Sequence, residues 1–140
     1  MAKWIRTALV LLLACSFANA PEARAQQLLT LACKGTAQSA IPDKNDSEPR
    51  EPISMGIVLN FATHTIQGFD YPIMIRDANG ATVVFGGNRQ SLSLESIIEG
   101  YIDRVTEKLE ATEVLFDHAA SKTLSTKNYR LRCKPTQRLF

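Results

Sequence analysis

The chain has two histidines, three cysteines and no apolar stretch of bilayer length, so it is poor in the groups that most often announce a function. Each shortage excludes something. Two histidines far apart and three scattered thiols give no zinc-finger spacing, and H-E-x-x-H does not occur. Neither a G-x-S-x-G elbow nor a phosphate-cradling glycine loop is present, so no cofactor and no motif-borne catalysis are expected. A formal net charge of +2 is too small for a general attraction to polyanions, and no nucleic-acid partner is expected. With 140 residues the chain forms one domain, and with 45% hydrophobic residues it is too apolar to stay disordered.

What is present begins with a leader. Lys3 and Arg6 precede an apolar run from Ala8 to Ala14, and small-residue sites end at Ala20 and Ala25, the pattern of an export signal. Cleavage after Ala20 would leave Pro21 at the cut, so residues 1–25 are expected to be removed and 26–140 to fold. L-L-A-C, ending at Cys15, also resembles a lipobox, and lipidation there is the one route by which a membrane anchor is expected. Removing residues 1–25 takes three bases and one acid, which brings the 16 bases and 14 acids to 13 of each. The basicity belongs to the leader.

Export also reduces the thiols to a pair, Cys33 and Cys133, in the similar contexts L-A-C-K and L-R-C-K. An even pair in an oxidising compartment reads as a structural disulfide. Without C-x-x-C spacing, a redox couple is disfavoured. Both cysteines share the parity of apolar neighbours: Leu29 and Leu31 before one, Tyr129 and Leu131 before the other.

That alternation recurs along the chain. Ile53, Met55, Ile57, Leu59 and Phe61 occupy alternate positions, the period of a strand with one face on a core. Shorter strands are expected at 27–34, 65–69, 73–76 and 82–85, with turns at 62–64, 77–80 and 86–88. Thr36 to Pro52 carries three of the six prolines and reads as an exposed loop at 36–52. Within it, Asn45-Asp46-Ser47 would be a glycosylation sequon only in a eukaryotic pathway. Residues 93–110 fit a helix as well as two strands, because Leu94, Ile97, Ile98, Tyr101, Ile102, Val105 and Leu109 fall at helical spacing. Gly100 and the β-branched residues there favour strands at 92–102 and 108–116, with a turn at 103–107. A last strand at 123–133 brings the total to about eight. The expectation is all-β, a small up-and-down barrel or sandwich, with an α+β arrangement as the alternative.

The strings L-A-C-K-G at 31–35, P-I-S-M-G-I-V-L-N-F at 52–61, T-I-Q-G-F at 65–69, I-D-R-V-T at 102–106 and Y-R-L-R-C-K-P-T-Q-R-L-F at 129–140 resemble a group of short exported proteins of soil-dwelling, root-associated bacteria. The resemblance implies a bacterial envelope or secreted location and supplies no catalytic residue.

Function is read from the faces. Acids gather as Glu95, Glu99, Asp103, Glu107, Glu110, Glu113 and Asp117, and bases follow as Lys122, Lys127, Arg130, Arg132, Lys134 and Arg138. As neighbouring strands these faces would meet across the sheet. His64 and His118 are expected to be solvated rather than catalytic. The leading expectation is an exported, periplasmic or secreted, non-catalytic domain that binds a small apolar ligand or an envelope component. Met55, Leu59, Phe61, Phe85 and Tyr129 would form the ligand's walls or simply the packed core. One alternative is an interaction or inhibitor module acting through 36–52 or the tail at 134–140. The other is a small hydrolase using the acidic cluster.

Overall fold

The computed structural model describes residues 28–42 and 48–136. The leader with Cys15, the Asn45 sequon and the tail from residue 137 lie outside the described residues. Eight strands follow one another: β1 (Leu28–Ala40), β2 (Glu51–Asn60), β3 (Thr65–Gln67), β4 (Ile73–Ala78), β5 (Thr82–Ser91), β6 (Leu94–Asp103), β7 (Lys108–Asp117) and β8 (Lys122–Pro135). Each pairs antiparallel with the next, and β8 returns to β1, so the sheet is a closed up-and-down barrel.

The inward rows are the ones the alternation marks. Ile57 and Leu59 on β2, Phe85 on β5, Ile98 and Ile102 on β6 and Leu109 on β7 are fully buried and fill the centre. The outside of β1, β8 and β7 carries Lys34, Arg132, Lys108 and Arg130, all exposed. A barrel lying in a bilayer needs an apolar outer band and tolerates a polar interior. Here the polarity is reversed.

The seam is where β1 meets β8. Their register runs from Leu31 opposite Pro135 to Ala40 opposite Thr126, and Cys33 stands directly opposite Cys133. The two are joined by a disulfide across a separation of 100 residues, and both are buried. The first strand is therefore held to the last by a covalent bond as well as by the ladder.

Three hairpins share one turn design. Asn60, Asp103 and Asp117 each accept hydrogen bonds from the backbone N–H groups two and three residues on, between 2.9 and 3.3 Å. Four residues after each of them, His64, Glu107 and Ser121 take a positive φ. The side-chain oxygen satisfies the amides that the strand ladder leaves over, and the left-handed residue turns the chain back into register. The backbone bonds at Asp103 hold its carboxyl below the usual aspartate range.

Several boundaries differ from the sequence reading. The 93–110 segment is β6 and β7, not a helix, with Ser96, Ile98, Gly100 and Ile102 on the inward parity. Periodicity near 3.6 arose there because both faces of β6 carry large apolar residues: Ile97 and Tyr101 point away from the buried row. The loop expected at 36–52 shrinks to 41–50, because Thr36–Ala40 pair with β8 and Glu51–Pro52 with β1. The turn expected at Gly86-Gly87-Asn88 lies inside β5, paired with Glu99, Ile98 and Ile97. A side chain at Gly87 would come within 2.8 Å of the Pro72 carbonyl, so the glycine marks a close approach of chains rather than a reversal. The real turn is two residues long, Leu92-Ser93.

Candidate functional site

Topology sorts the connections onto two ends. Loops 41–50, 68–72, 92–93 and 118–121 gather at one end, the mouth; turns 61–64, 79–81 and 104–107 gather at the other with the start of β1 and the end of β8. At the mouth, β3 is only three residues long, and the segment after it folds inward. Gly68 permits this, at φ 125°, where a Cβ would run into the Gly56 carbonyl. Phe69 then packs against Phe85 and Tyr129, with ring centroids 5.8 and 6.0 Å apart.

Above this aromatic floor lies a polar cluster on inward positions. Glu113 of β7 accepts hydrogen bonds from Ser96 Oγ at 2.6 Å and Tyr71 Oη at 3.2 Å on one oxygen, and from Tyr129 Oη at 2.8 Å on the other. Burial, and then the hydrogen bond to Glu113 and that carboxylate's charge, push the Tyr129 phenol well above its ordinary value. Tyr71 is raised too, first by burial, with Glu113 adding and Ser96 opposing. Both phenols stay protonated and committed as donors. Two cations overlie their rings: Lys127 is 5.3 Å from the Tyr129 centroid and Arg89 is 5.3 Å from that of Tyr71. Neither forms an ion pair among the described residues.

A cavity of about 130 Å³ opens here, lined by Ile53, Met55, Phe69 and Tyr71 among others, with Asp70, Glu113 and Lys127 as its charged groups. A larger groove of about 580 Å³ runs over the outer wall past Val84, Glu99, Tyr101, Glu110, Thr112 and Arg130. It is wider open, and its lining side chains point to solvent. The mouth, with its buried hydroxyls, is the more constructed of the two.

The expected ligand walls divide accordingly. Met55 and Tyr129 line the mouth cavity, whereas Leu59 and Phe85 are fully buried in the core and Phe61 packs against that core. The acids expected on one polar face are dispersed. Glu113 points inward, Asp103 and Asp117 hold turns, and Glu99 pairs with Arg76 at 2.7 Å. Glu95 bonds His118 at 2.9 Å and also accepts from Asn88; these bonds, that from Asn88 above all, hold its carboxyl below the usual range. The acidic and basic strands do meet in register, with Glu110 opposite Arg130 and Asp117 opposite Lys122, but no ion pair closes between them. Among the described residues, no three His, Cys, Asp or Glu side chains are gathered as a metal ion would need.

Sequence inspection does not single out Glu113, Ser96 and Lys127 as a group, although parity marks them. Each lies two residues from an inward apolar or aromatic position: Ala111, Ile98 and Tyr129. Tyr71 had no such signal, because it reaches the cluster from a loop.

Fold and site together define the class: a closed eight-stranded antiparallel barrel, filled in its centre and sealed by a disulfide, with a small polar-rimmed cavity at one mouth. None of the known protein families, curated proteins or solved structures compared with the chain matches it.

Proposed function

We propose that the chain is an exported, non-catalytic binding domain that holds a small amphiphile at the mouth of the barrel. The observation that carries this is the Glu113 cluster: a half-buried carboxylate held by three hydroxyls, with Lys127 on the same cavity wall and Arg89 over the Tyr71 ring, neither in an ion pair among the described residues, above an apolar floor. Such groups orient a ligand's polar head, while Ile53, Met55 and Phe69 receive its apolar part. Size bounds the ligand. Pockets for drug-sized molecules measure about 300–1,000 Å³, and a cavity of about 150 Å³ accommodates benzene. A space of about 130 Å³ therefore takes one ring or a short branched chain.

Export is supported by the leader, by the disulfide, which is compatible with an oxidising compartment, and by the resemblance to exported bacterial proteins. Periplasm or medium is the proposed location. Intact-mass analysis of the exported protein should give a chain starting at Gln26; a fatty-acid-labelled chain starting at Cys15 would replace this with an anchored form.

Binding is tested by two-dimensional NMR of the exported protein titrated with benzoate, benzylamine and benzyl alcohol. Saturable shifts at Gly68–Tyr71 and Lys127, abolished in Ile53→Trp, are expected for at least one probe. If none of the three shifts these resonances, the mouth is not a binding site.

A further inference from the structure

On the outer wall a row of bases runs from the end of the barrel opposite the mouth, at Lys108 and Arg132, to the middle of β1 at Lys34. Lys34 of β1 stands directly opposite Arg132 of β8, and Arg132 directly opposite Lys108 of β7. Lys134 lies two residues further along β8, and Arg104 lies in the adjoining 104–107 turn. All five are exposed, and none forms an ion pair among the described residues. Like charges placed directly opposite on neighbouring strands destabilise a sheet. Two such pairs in succession oppose folding, and no neighbouring acid closes on them. Asp103, opposite Lys108 and within reach of its charge, spends a carboxylate oxygen on the amides of Val105 and Thr106, and Glu110, next to the row on the same face, accepts from Tyr101 Oη. Strand pairing itself therefore gives no reason for this row.

The same end exposes apolar side chains. Val105, in the turn between Arg104 and Lys108, is 76% exposed, and Leu28, at the start of β1, is 47% exposed. Bases flanking exposed aliphatic tips have the chemistry of an interfacial contact, in which the bases meet lipid phosphates and the tips enter the headgroup layer. A soluble polyanion would use the bases and leave Val105 and Leu28 unexplained.

We infer that this end, through Lys34, Lys108 and Arg132 with Val105 at its rim, docks on an anionic lipid bilayer. The contact is independent of the mouth site, which then faces away from the membrane, and it needs no lipid anchor.

The test is sedimentation of the exported, disulfide-intact protein with vesicles of phosphatidylcholine alone or containing about one third phosphatidylglycerol. Binding is expected only to the anionic vesicles and should fall as salt is raised from 50 to 500 mM. Each base near such a surface contributes about fivefold in partitioning, so K34Q/K108Q/R132Q should bind roughly 100-fold more weakly. Removing the opposed charges should leave its urea midpoint equal or higher, which separates lost docking from lost folding. V105S should weaken vesicle binding severalfold and leave retention on a sulfated dextran column unchanged. Failure to bind anionic vesicles overturns the inference. So does undiminished vesicle binding by the triple variant, or V105S binding like the wild type, the latter pointing to a soluble polyanion.

Discussion

Leu92 is a bulky residue at φ 55° in a two-residue hairpin turn, 97% exposed and without a packing role. Left-handed backbone costs a side-chain-bearing residue about 1 kcal/mol or more, and glycine avoids the penalty. Leu92→Gly should therefore stabilise the barrel by about 1 kcal/mol, read as a higher urea midpoint at unchanged slope. Glu113 presents the opposite case. Replacing it with Leu leaves Ser96, Tyr71 and Tyr129 without their acceptor, at a cost of about 1–3 kcal/mol; Gln keeps an acceptor and should cost less. The phenols set a pH dependence. Because the folded state holds the protons of Tyr71 and Tyr129 above the ordinary tyrosine value, it binds more protons than the unfolded chain in that range, and stability falls as pH rises beyond about 10. Urea midpoints between pH 8 and 11 should show this decline, and Glu113→Gln should make it shallower. A flat profile would mean the two phenols ionise as freely in the fold as in the unfolded chain.

The hairpins at 60–64, 103–107 and 117–121 repeat a device that sequence inspection recognises only in part. Asp103-to-Glu107 was readable as a turn because polar and β-branched residues interrupt the apolar rows, but no glycine marks the left-handed positions at His64, Glu107 and Ser121. The carboxylate of Asp103 does local work there, and its depressed pKa gives a sign. Stability that is present above the ordinary aspartate value is lost as pH falls through the lower folded one. Asp103→Asn keeps the acceptor without the charge, so it should lose part of this acid dependence while preserving the turn, as midpoints between pH 2 and 6 would reveal. Gly86 and Gly87 are ambiguous in sequence for a related reason. Paired glycines look like a reversal in one dimension, yet here they let β5 pass close to its neighbour.

Closure governs the molecule as a whole. The β1–β8 ladder joins residues about 100 apart, and no shorter connection substitutes for it. In the chain-entropy model a cross-link over such a loop contributes about 4 to 5 kcal/mol, so reduction, or Cys33→Ser with Cys133→Ser, should lower stability by roughly that amount. The same distance sets the folding rate, since non-local pairs must lose loop entropy before they gain contacts. Stopped-flow refolding of the oxidised chain should therefore be faster than that of the reduced chain, by tenfold or more if the seam forms in the transition state. Equal rates would place seam formation after the barrier.

Alternation of side chains by itself marked most of the strands, which face of β2 and β8 is buried, and that Cys33 and Cys133 lie on inward faces; at 93–110 it left helix and strand open. These are consequences of a period of two, which is local and needs no partner. Parity also held the inward placement of Glu113, Ser96 and Lys127, although counting charges as a block concealed it. Only the tertiary structure decided that the interior is filled rather than hollow, because that depends on how Phe69 swings in from a loop to meet Phe85 and Tyr129. Only closure decided which charges become neighbours. Lys34 and Arg132 stand 98 positions apart in the chain and directly opposite in the sheet, and strand register, fixed by the packed core, brings them together.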